Sequence, residues 1–194
     1  MKNGHKMYAW AQDLFPICRS ITGQGLRETL QYFKKILPEL KIHSIPSGTK
    51  AFDWTVPEEW SIKNAYIEDK DGNRLIDYIN NNLHVLNYSE SIDTWVNLEE
   101  LKEHLYSNPE QPNAIPYVTS YYERRWGFCL THEQLLSLKQ GEYHVVIESE
   151  LKSGVLNYGE LIIPGTSNEE ILLSTYVCHP SMANNELSGP TVTT

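Results

Sequence analysis

The sequence predicts an α/β fold in which an α/β domain is interrupted by a β-rich insert. Both ends of the chain, residues 1–48 and 140–194, combine amphipathic helices with apolar strand-like runs, which is typical of α/β proteins. The middle, residues 49–139, loses the helical period and places short runs rich in Trp, Tyr, Val and Ile between turn signals. Near the C-terminus an apolar β-branched run ends in Cys178-His179-Pro180. A side chain that can bind metal is therefore expected where a strand gives way to a loop, the position at which ligands bind in open α/β sheets.

The first 48 residues predict two helices and a strand. Apolar residues three, four and seven positions apart predict helices over 6–15 and 26–37, each followed closely by a proline that ends it. Thr22 or Gln24 is expected to cap the second helix. Residues 41–46 alternate apolar and polar side chains, which predicts a strand.

The insert is predicted to contain a hairpin and two short helices. The hairpin turn is placed at Asp71-Gly72, since glycine accepts the positive φ of tight turns. One helix is predicted over 98–105, with Asn97 as its cap. The other is predicted over 131–139, where Thr131 and Gln134 have the spacing of a capping box.

Beyond the insert the sequence predicts three strands and the start of a helix. The strands are expected over 142–151, 156–163 and 170–178, and the last has the pattern of a buried strand. The connection between the second and third strands is too short for a parallel crossover, so antiparallel pairing is expected. Proline suits an early helical position, so Leu187-Ser188-Gly189-Pro190 predicts a helix start. We expect that helix to continue beyond Thr194, which would make the chain a truncated piece.

Composition predicts an acidic protein with a packed core. Lys and Arg number 16 against 25 Asp and Glu, for a net charge of -9 and a pI near 5.2, and nucleic acid or an anionic membrane would be repelled. The N-terminus lacks the apolar core of a signal peptide, and no run approaches the ~20 residues of a membrane span. The three cysteines are far apart and form no C-x-x-C motif, so free thiols in a reducing compartment are expected. These features predict a cytoplasmic protein.

His179 is the candidate metal ligand. A neutral imidazole at a strand end, close to Asn185 and Glu186, can supply one of the three or four donors of a zinc site. Spacing alone favours a hydrogen-bonded structural histidine. Cys178 is expected on the opposite face of the strand, so it is not expected to share an ion with His179. The other six histidines lack H-x-x-x-H and H-E-x-x-H spacing, which predicts structural or surface roles.

Two further stretches leave alternatives open. Arg19-Ser20-Ile21-Thr22-Gly23 could be an anion or substrate loop before a helix, although a helix connection whose hydroxyls cap is favoured. Tyr121–Phe128 mixes aromatic rings with cations and could stack on a sugar or a peptide. An insert strand whose alternate aromatics pack in a core is the favoured interpretation of that stretch.

Three stretches resemble a known family. The run GELIIPGTSNEEILLSTYVCHPSMANNELSGP resembles the front half of the di-zinc aminopeptidase fold, with a metal-binding His at a strand end and then a loop of the form Asn-Asp-Asn-x-Ser-Gly opening a helix. LFPICRSITGQGLRETL and AFDWTVPEEW resemble bacterial aminopeptidase-like proteins that carry a β-rich domain inserted into that fold. The resemblance implies a partial zinc-aminopeptidase-like α/β domain, interrupted by the insert at 49–139.

The resemblance also implies a metal site. By position, His179 matches the first metal ligand, and Asn185 falls where those peptidases place the carboxylate that bridges two metals. A neutral amide is a poorer ligand for a hard dication. Glu186 could replace the bridging carboxylate of those peptidases only if the loop turns differently. The remaining ligands and the general-base Glu of the family lie downstream of this loop, so the resemblance assigns no catalytic residue to this chain.

The function implied by the resemblance is that of a metal-dependent aminopeptidase-like hydrolase. Zinc would be the cofactor, a peptide or aminoacyl compound the substrate, and metal-activated water the attacking group at the carbonyl. The alternative is a non-catalytic scaffold or glycan- or peptide-binding protein with a degenerate peptidase fold. Either protein could form a homo-oligomer.

Overall fold

A computed structural model describes residues 3–194 and shows a mixed α/β protein with several small sheets. The chain forms two compact units. The first unit comprises the described residues up to Glu59 together with Ser153–Thr194, and the second unit comprises Trp60–Lys152. These boundaries lie further along the chain than the predicted 48/49 and 139/140, because the strand after residue 140 pairs within the sheet of the second unit.

Short helices and strands make up both units. The helices are α1 (Asn3–Leu14), α2 (Gln24–Ile36), α3 (Leu98–Lys102), α4 (His132–Ser137) and α5 (Ser188–Thr193), with a 3₁₀ turn at Asn82–His84 and a π-helix at Ala183–Leu187. The strands are β1 (Lys41–Pro46), β2 (Lys50–Ala51), β3 (Trp54–Thr55), β4 (Glu59–Asp69), β5 (Arg74–Asp77), β6 (Ile92–Asn97), β7 (Leu105–Tyr106), β8 (Phe128–Cys129), β9 (Glu142–Lys152) and β10 (Val155–Glu160).

The first unit packs its helices around a small apolar core. This core joins α1, α2 and the π-helix through four buried side chains, Leu14, Phe33, Leu40 and Leu187. Strand β1 pairs antiparallel with β10, from Lys41 opposite Glu160 to Pro46 opposite Val155. Leu187 anchors one end of the π-helix in this core, and the position of that helix is therefore fixed by packing against α1 and α2.

The predicted helices and strand of the first 48 residues are confirmed, and the predicted cap is wrong. Gly23, with φ of 91°, occupies the position before α2, and neither Thr22 nor Gln24 caps that helix through its side chain. The Thr22 hydroxyl instead donates to the carbonyl of Glu58, at 3.5 Å. The residue that precedes α2 has a positive φ, which favours glycine. Glycine has no side chain with which to cap the helix.

The second unit is built on a four-stranded sheet in the order β5-β4-β9-β6. The predicted hairpin is confirmed, with Gly72 at φ of 79° in the turn between β4 and β5. Both predicted caps are also confirmed: the Asn97 side chain accepts from the backbone N–H of Glu100, and Thr131 and Gln134 form a capping box. The helices that they start, α3 and α4, are shorter than predicted.

The predicted buried strand at 170–178 is wrong. These residues form no regular strand, and the side chains of Ile171, Leu172 and Leu173 are 93%, 87% and 73% exposed. The predicted pairing of 156–163 with this run is also wrong, because β10 pairs with β1. A strand needs a neighbour for its backbone groups, and the described residues give this run none in a ladder.

Within residues 3–194, no helix is both long enough and apolar enough to cross a membrane.

Candidate metal centre

The candidate centre lies in the first unit, where the Cys178-His179-Pro180 turn meets the π-helix. Ser181 adopts a positive φ of 45°, which reverses the chain after the turn. The segment then forms a π-helix over Ala183–Leu187, in which the backbone N–H of Ser188 donates to the carbonyl of Ala183, five residues earlier. A π-helix takes about one residue more per turn than an α-helix. The reversal and the wide turn together bring residue 186 back to residue 179.

His179 is held by the Glu186 carboxylate at two points. The His179 backbone N–H donates to Oε1 of Glu186 at 2.7 Å, and Nδ1 of the ring lies 2.7 Å from Oε2. An ionised carboxylate only accepts hydrogen bonds, so this contact favours the tautomer with the proton on Nδ1 and a lone pair on Nε2. Glu186 has no exposed surface. A buried carboxylate therefore fixes the orientation of His179 and favours the tautomer protonated at Nδ1.

Arg19 approaches the same residue from the loop between α1 and α2. Its Nε donates to the carbonyl of His179 at 3.0 Å, and its Nη1 donates to the carbonyl of Leu14 at 2.6 Å. The side chain is fully buried, which lowers the pKa of the guanidinium, while the charge of Glu186 acts in the opposite direction. A buried cation bonded to two carbonyls does not fit the alternative of an anion loop open to substrate. It fits a structural connection.

Cys178 lies beside His179 rather than pointing away from it. Its Sγ is 3.3 Å from Nδ1 of His179, so the predicted opposite orientation is wrong. The prediction rested on strand alternation, and this segment is not a strand. Burial raises the pKa of the Cys178 thiol to about 12, with the charge of Glu186 adding to the effect. The thiol is therefore neutral at physiological pH.

Asn185 is separated from this arrangement. Its side chain is exposed, and its Oδ1 accepts from the hydroxyl of Tyr176 at 3.3 Å. The Tyr176 ring in turn meets the His179 ring edge-on, with centroids 5.5 Å apart. Of the three residues predicted as metal ligands, the structure brings His179 and Glu186 into direct contact, whereas Asn185 contacts the neighbouring tyrosine.

The fit to a metal ion depends on which atom of His179 would bind it. Cys178, His179 and Glu186 form a cluster whose donor atoms lie within 4.8 Å of one another. However, Nδ1 and Oε2 are 2.7 Å apart, a hydrogen-bond distance, whereas two tetrahedral zinc ligands lie roughly 3.3 Å apart. An ion on that side would also sit next to the Arg19 charge. The arrangement fits zinc better at Nε2, since metal-bound histidines commonly donate the other ring N–H to a carboxylate.

Five of the other histidines have partners among the described residues, namely His43, His84, His104, His132 and His144. His84 is buried against the carbonyl of Cys129, and the ring of His104 stacks on Trp126 at 3.6 Å. His144 joins three strands, with Nδ1 2.9 Å from Glu68 and Nε2 2.7 Å from Asp93. These two ion pairs raise the pKa of His144. The prediction of structural and surface roles is supported by these contacts.

The aromatic stretch Tyr121–Phe128 is not the predicted insert strand. Only its last residue, Phe128, belongs to a strand among the described residues, and Phe128 is fully buried. Tyr121 packs edge-on against Tyr88, whereas Tyr122 is 66% exposed. Elsewhere in the second unit a cavity of about 390 Å³ is lined by residues of the β4–β5 turn and of the segment after α4, among them Asp71 and Lys139, and by neighbouring residues of β5 and β9, among them Leu75 and Tyr143.

The sequence did not indicate that Arg19 would contact His179. Its contacts with His179 span 160 residues of chain, and no local spacing encodes them. The weak signal was a charged residue between the apolar Ile17 and Ile21 in a connection that joins two helices.

Comparison with known proteins gives one consistent result. Residues 8–194 match the family model described as "Domain of unknown function (DUF4910)". A Clostridium acetobutylicum protein, named as a candidate polysaccharide biosynthesis protein with an aminopeptidase-like domain, is 50% identical over 188 residues, which are 97% of this chain and 43% of the relative. The crystal structure of a candidate peptidase from C. acetobutylicum matches 97% of this chain with a TM-score of 0.94 and 50% identity, over 44% of its own length. This chain therefore spans less than half the length of the relatives it matches.

Proposed function

Because this chain belongs to the DUF4910 family and shares the fold of a peptidase-like structure, we propose that it forms part of a metal-dependent, aminopeptidase-like hydrolase. The aminopeptidase-like domain in the name of the C. acetobutylicum relative supports this class. The substrate we propose is a peptide or aminoacyl compound with a free N-terminus.

The observation that carries the proposal is the pairing of His179 with the buried Glu186. Burying a carboxylate is costly unless it is hydrogen-bonded and compensated. Here both carboxylate oxygens contact His179: Oε1 accepts a hydrogen bond from its backbone N–H, and Oε2 lies 2.7 Å from Nδ1 of its ring. The result is a ring of defined tautomer whose Nε2 carries the lone pair. That is the state in which an imidazole binds zinc.

In this proposal Glu186 orients the ligand and does not bind the metal. His179 supplies one donor, whereas a catalytic zinc site has three protein ligands. We place the remaining ligands in polypeptide corresponding to the part of the relatives that this chain does not match. Bound zinc would supply Lewis-acid chemistry at the substrate carbonyl and lower the pKa of water.

A calorimetric titration of zinc tests the role of His179. We expect this chain to bind zinc more weakly than about 1 µM, because it offers an incomplete ligand set. His179→Gln should weaken binding by about tenfold or more. His43→Gln is the matched control, since His43 also lies in the first unit but pairs with Glu160 and stacks on Tyr158. Equal affinities in the three proteins would refute the assignment of His179.

Turnover of aminoacyl substrates separates a hydrolase from the binding alternative. We expect no release of N-terminal residues by this chain, and metal-dependent release by the longer C. acetobutylicum relative. Tight stoichiometric zinc together with turnover by the 194-residue chain would contradict the placement of the other ligands outside it. A relative that is metal-free and inactive would favour a glycan- or peptide-binding protein with a degenerate peptidase fold.

A further inference from the structure

Three polar atoms of His179 are held by two buried side chains of opposite charge. Glu186 accepts from the backbone N–H and from the ring Nδ1. Arg19 donates to the backbone carbonyl, at 3.0 Å from its Nε. Both charged side chains have no exposed surface. The backbone and the ring of one residue are therefore fixed together, and the free rotation of the imidazole is removed.

Arg19 is itself fixed from the opposite side. Its Nη1 donates to the carbonyl of Leu14, one of the last carbonyls of α1, at 2.6 Å. Its loop also packs closely against the start of α2, where a Cβ on Gly25 would lie 1.9 Å from the carbonyl oxygen of Cys18. Only glycine allows this approach without displacement of the backbone. The guanidinium thus links the end of α1 to His179 with little freedom to shift.

A role in fold stability alone would not require this convergence. Two buried side chains of opposite charge are on average no more stabilising than apolar replacements of the same volume. What the two charges achieve here is directional, since planar guanidinium and carboxylate groups each impose a defined hydrogen-bond geometry. That geometry acts on the N–H, the C=O and the ring of the same residue.

We propose that Arg19 is a positioning residue for His179, which acts together with Glu186 to hold Nε2 of the imidazole in the orientation needed to bind a metal ion. This role rests on the proposed function for its purpose, but the orientation itself can be measured without metal. Arg19 would act through the backbone carbonyl of His179, and Glu186 through the backbone N–H and the ring.

The test measures the histidine tautomer in metal-free protein and zinc affinity in parallel. Long-range proton–nitrogen NMR spectra of the wild-type chain, recorded above pH 7.5 and assigned with His179→Gln, should show His179 with its proton on Nδ1. Arg19→Met removes the charge and the planar guanidinium at similar volume. Arg19→Lys keeps the charge but lacks the planar guanidinium that donates to two carbonyls. We expect both variants to lower the Nδ1–H population and to weaken zinc binding by about tenfold.

Arg27→Met is the matched control in the same unit. Arg27 pairs with Glu59 at 2.6 Å, so its loss should lower stability yet leave the His179 tautomer unchanged and zinc affinity within about twofold. If Arg19→Met does not fold, Arg19→Lys decides the result. Wild-type tautomer and affinity in the folded Arg19 variants would overturn the positioning role while leaving the proposed function intact. A changed tautomer in the folded Arg19 variants, together with a longer C. acetobutylicum relative that is metal-free and inactive, would support the positioning role and contradict the proposed function.

Discussion

A carboxylate without exposed surface, such as that of Glu186, is tolerated only when its charge is compensated. In the first unit the compensation comes from hydrogen bonds donated by His179 and from the nearby charge of Arg19. The charge of Glu186 in turn raises the pKa of the Arg19 guanidinium, against the effect of burial. At the scale of the residue, the candidate centre consists of two buried charges of opposite sign that both contact one histidine.

This coupling predicts a large effect for Glu186→Gln. The variant keeps the volume of the side chain but leaves the Arg19 charge uncompensated in the interior. We expect the free energy of unfolding, measured by urea titration, to fall by about 3–5 kcal/mol. Glu160→Gln is the control, because the Glu160 side chain is 46% exposed and its loss should cost less than about 1 kcal/mol. A Glu186→Gln protein as stable as the control variant would contradict the coupling.

His144 predicts a pH-dependent contribution to the stability of the second unit. Its pKa is raised in the folded state by hydrogen bonds to Glu68 and then to Asp93. The stabilisation is therefore fully present below the unfolded pKa of about 6.5 and is lost as the pH rises through the higher folded pKa. Between pH 6 and pH 9, we expect the free energy of unfolding of wild type to fall by up to about 1 kcal/mol more than that of His144→Gln. This difference should be smaller at high salt, which screens the ion pairs. Parallel pH profiles for the two proteins would show that the ion pairs contribute nothing.

The residues of the centre differ in how far the sequence reveals them. His179 was identifiable because it follows an apolar run and matches a family motif. The orienting role of Glu186 was not, since it depends on a π-helix that spacing rules do not predict. Arg19 lies 160 residues from its partner, and the physical interaction that places it there exists only after the chain has folded.

At the scale of the element, local signals were sufficient wherever the structure depends on near neighbours. The Asn97 cap, the Thr131–Gln134 capping box and the Gly72 turn each involve residues within four positions of one another, and all three are confirmed. The run at 170–178 failed because its apolar, β-branched pattern reports a preference for burial and extension. The pattern cannot report whether a neighbouring strand is present to satisfy it.

The exposed run predicts self-association. Three adjacent apolar side chains, Ile171, Leu172 and Leu173, form a contiguous patch of the kind that binds hydrophobic dyes and other chains. We expect Ile171→Lys with Leu173→Lys to lower dye fluorescence and concentration-dependent light scattering, with little change in the urea midpoint. Ile79→Lys is the control, since Ile79 is 71% exposed but belongs to the second unit. Equal scattering by wild type and the double variant would contradict the prediction.

At the scale of the whole molecule, the chain leaves the first unit and returns to it at one place. A Cβ on Gly154 would lie 2.5 Å from the Cβ of Glu59, and the backbone N–H of Val155 donates to the Glu59 carboxylate at 3.3 Å. The two points at which the first unit connects to residues 60–152 thus lie beside each other within the first unit. Adjacent ends are what allows one domain to be accommodated within another without disturbing it. The sequence revealed the change of texture but not this contact, which again joins distant residues.

The contact between His179 and Glu186 depends on the number of residues in the π-helix at Ala183–Leu187. Loss of one residue from this turn would favour the α-helical register and swing Glu186 by about 100° around the helix axis, away from the imidazole. Many substitutions at the exposed positions 183–185 would leave that direction unchanged. This segment should therefore tolerate substitutions far better than insertions or deletions. Natural variants that keep the His179–Glu186 pair should keep six residues between its members.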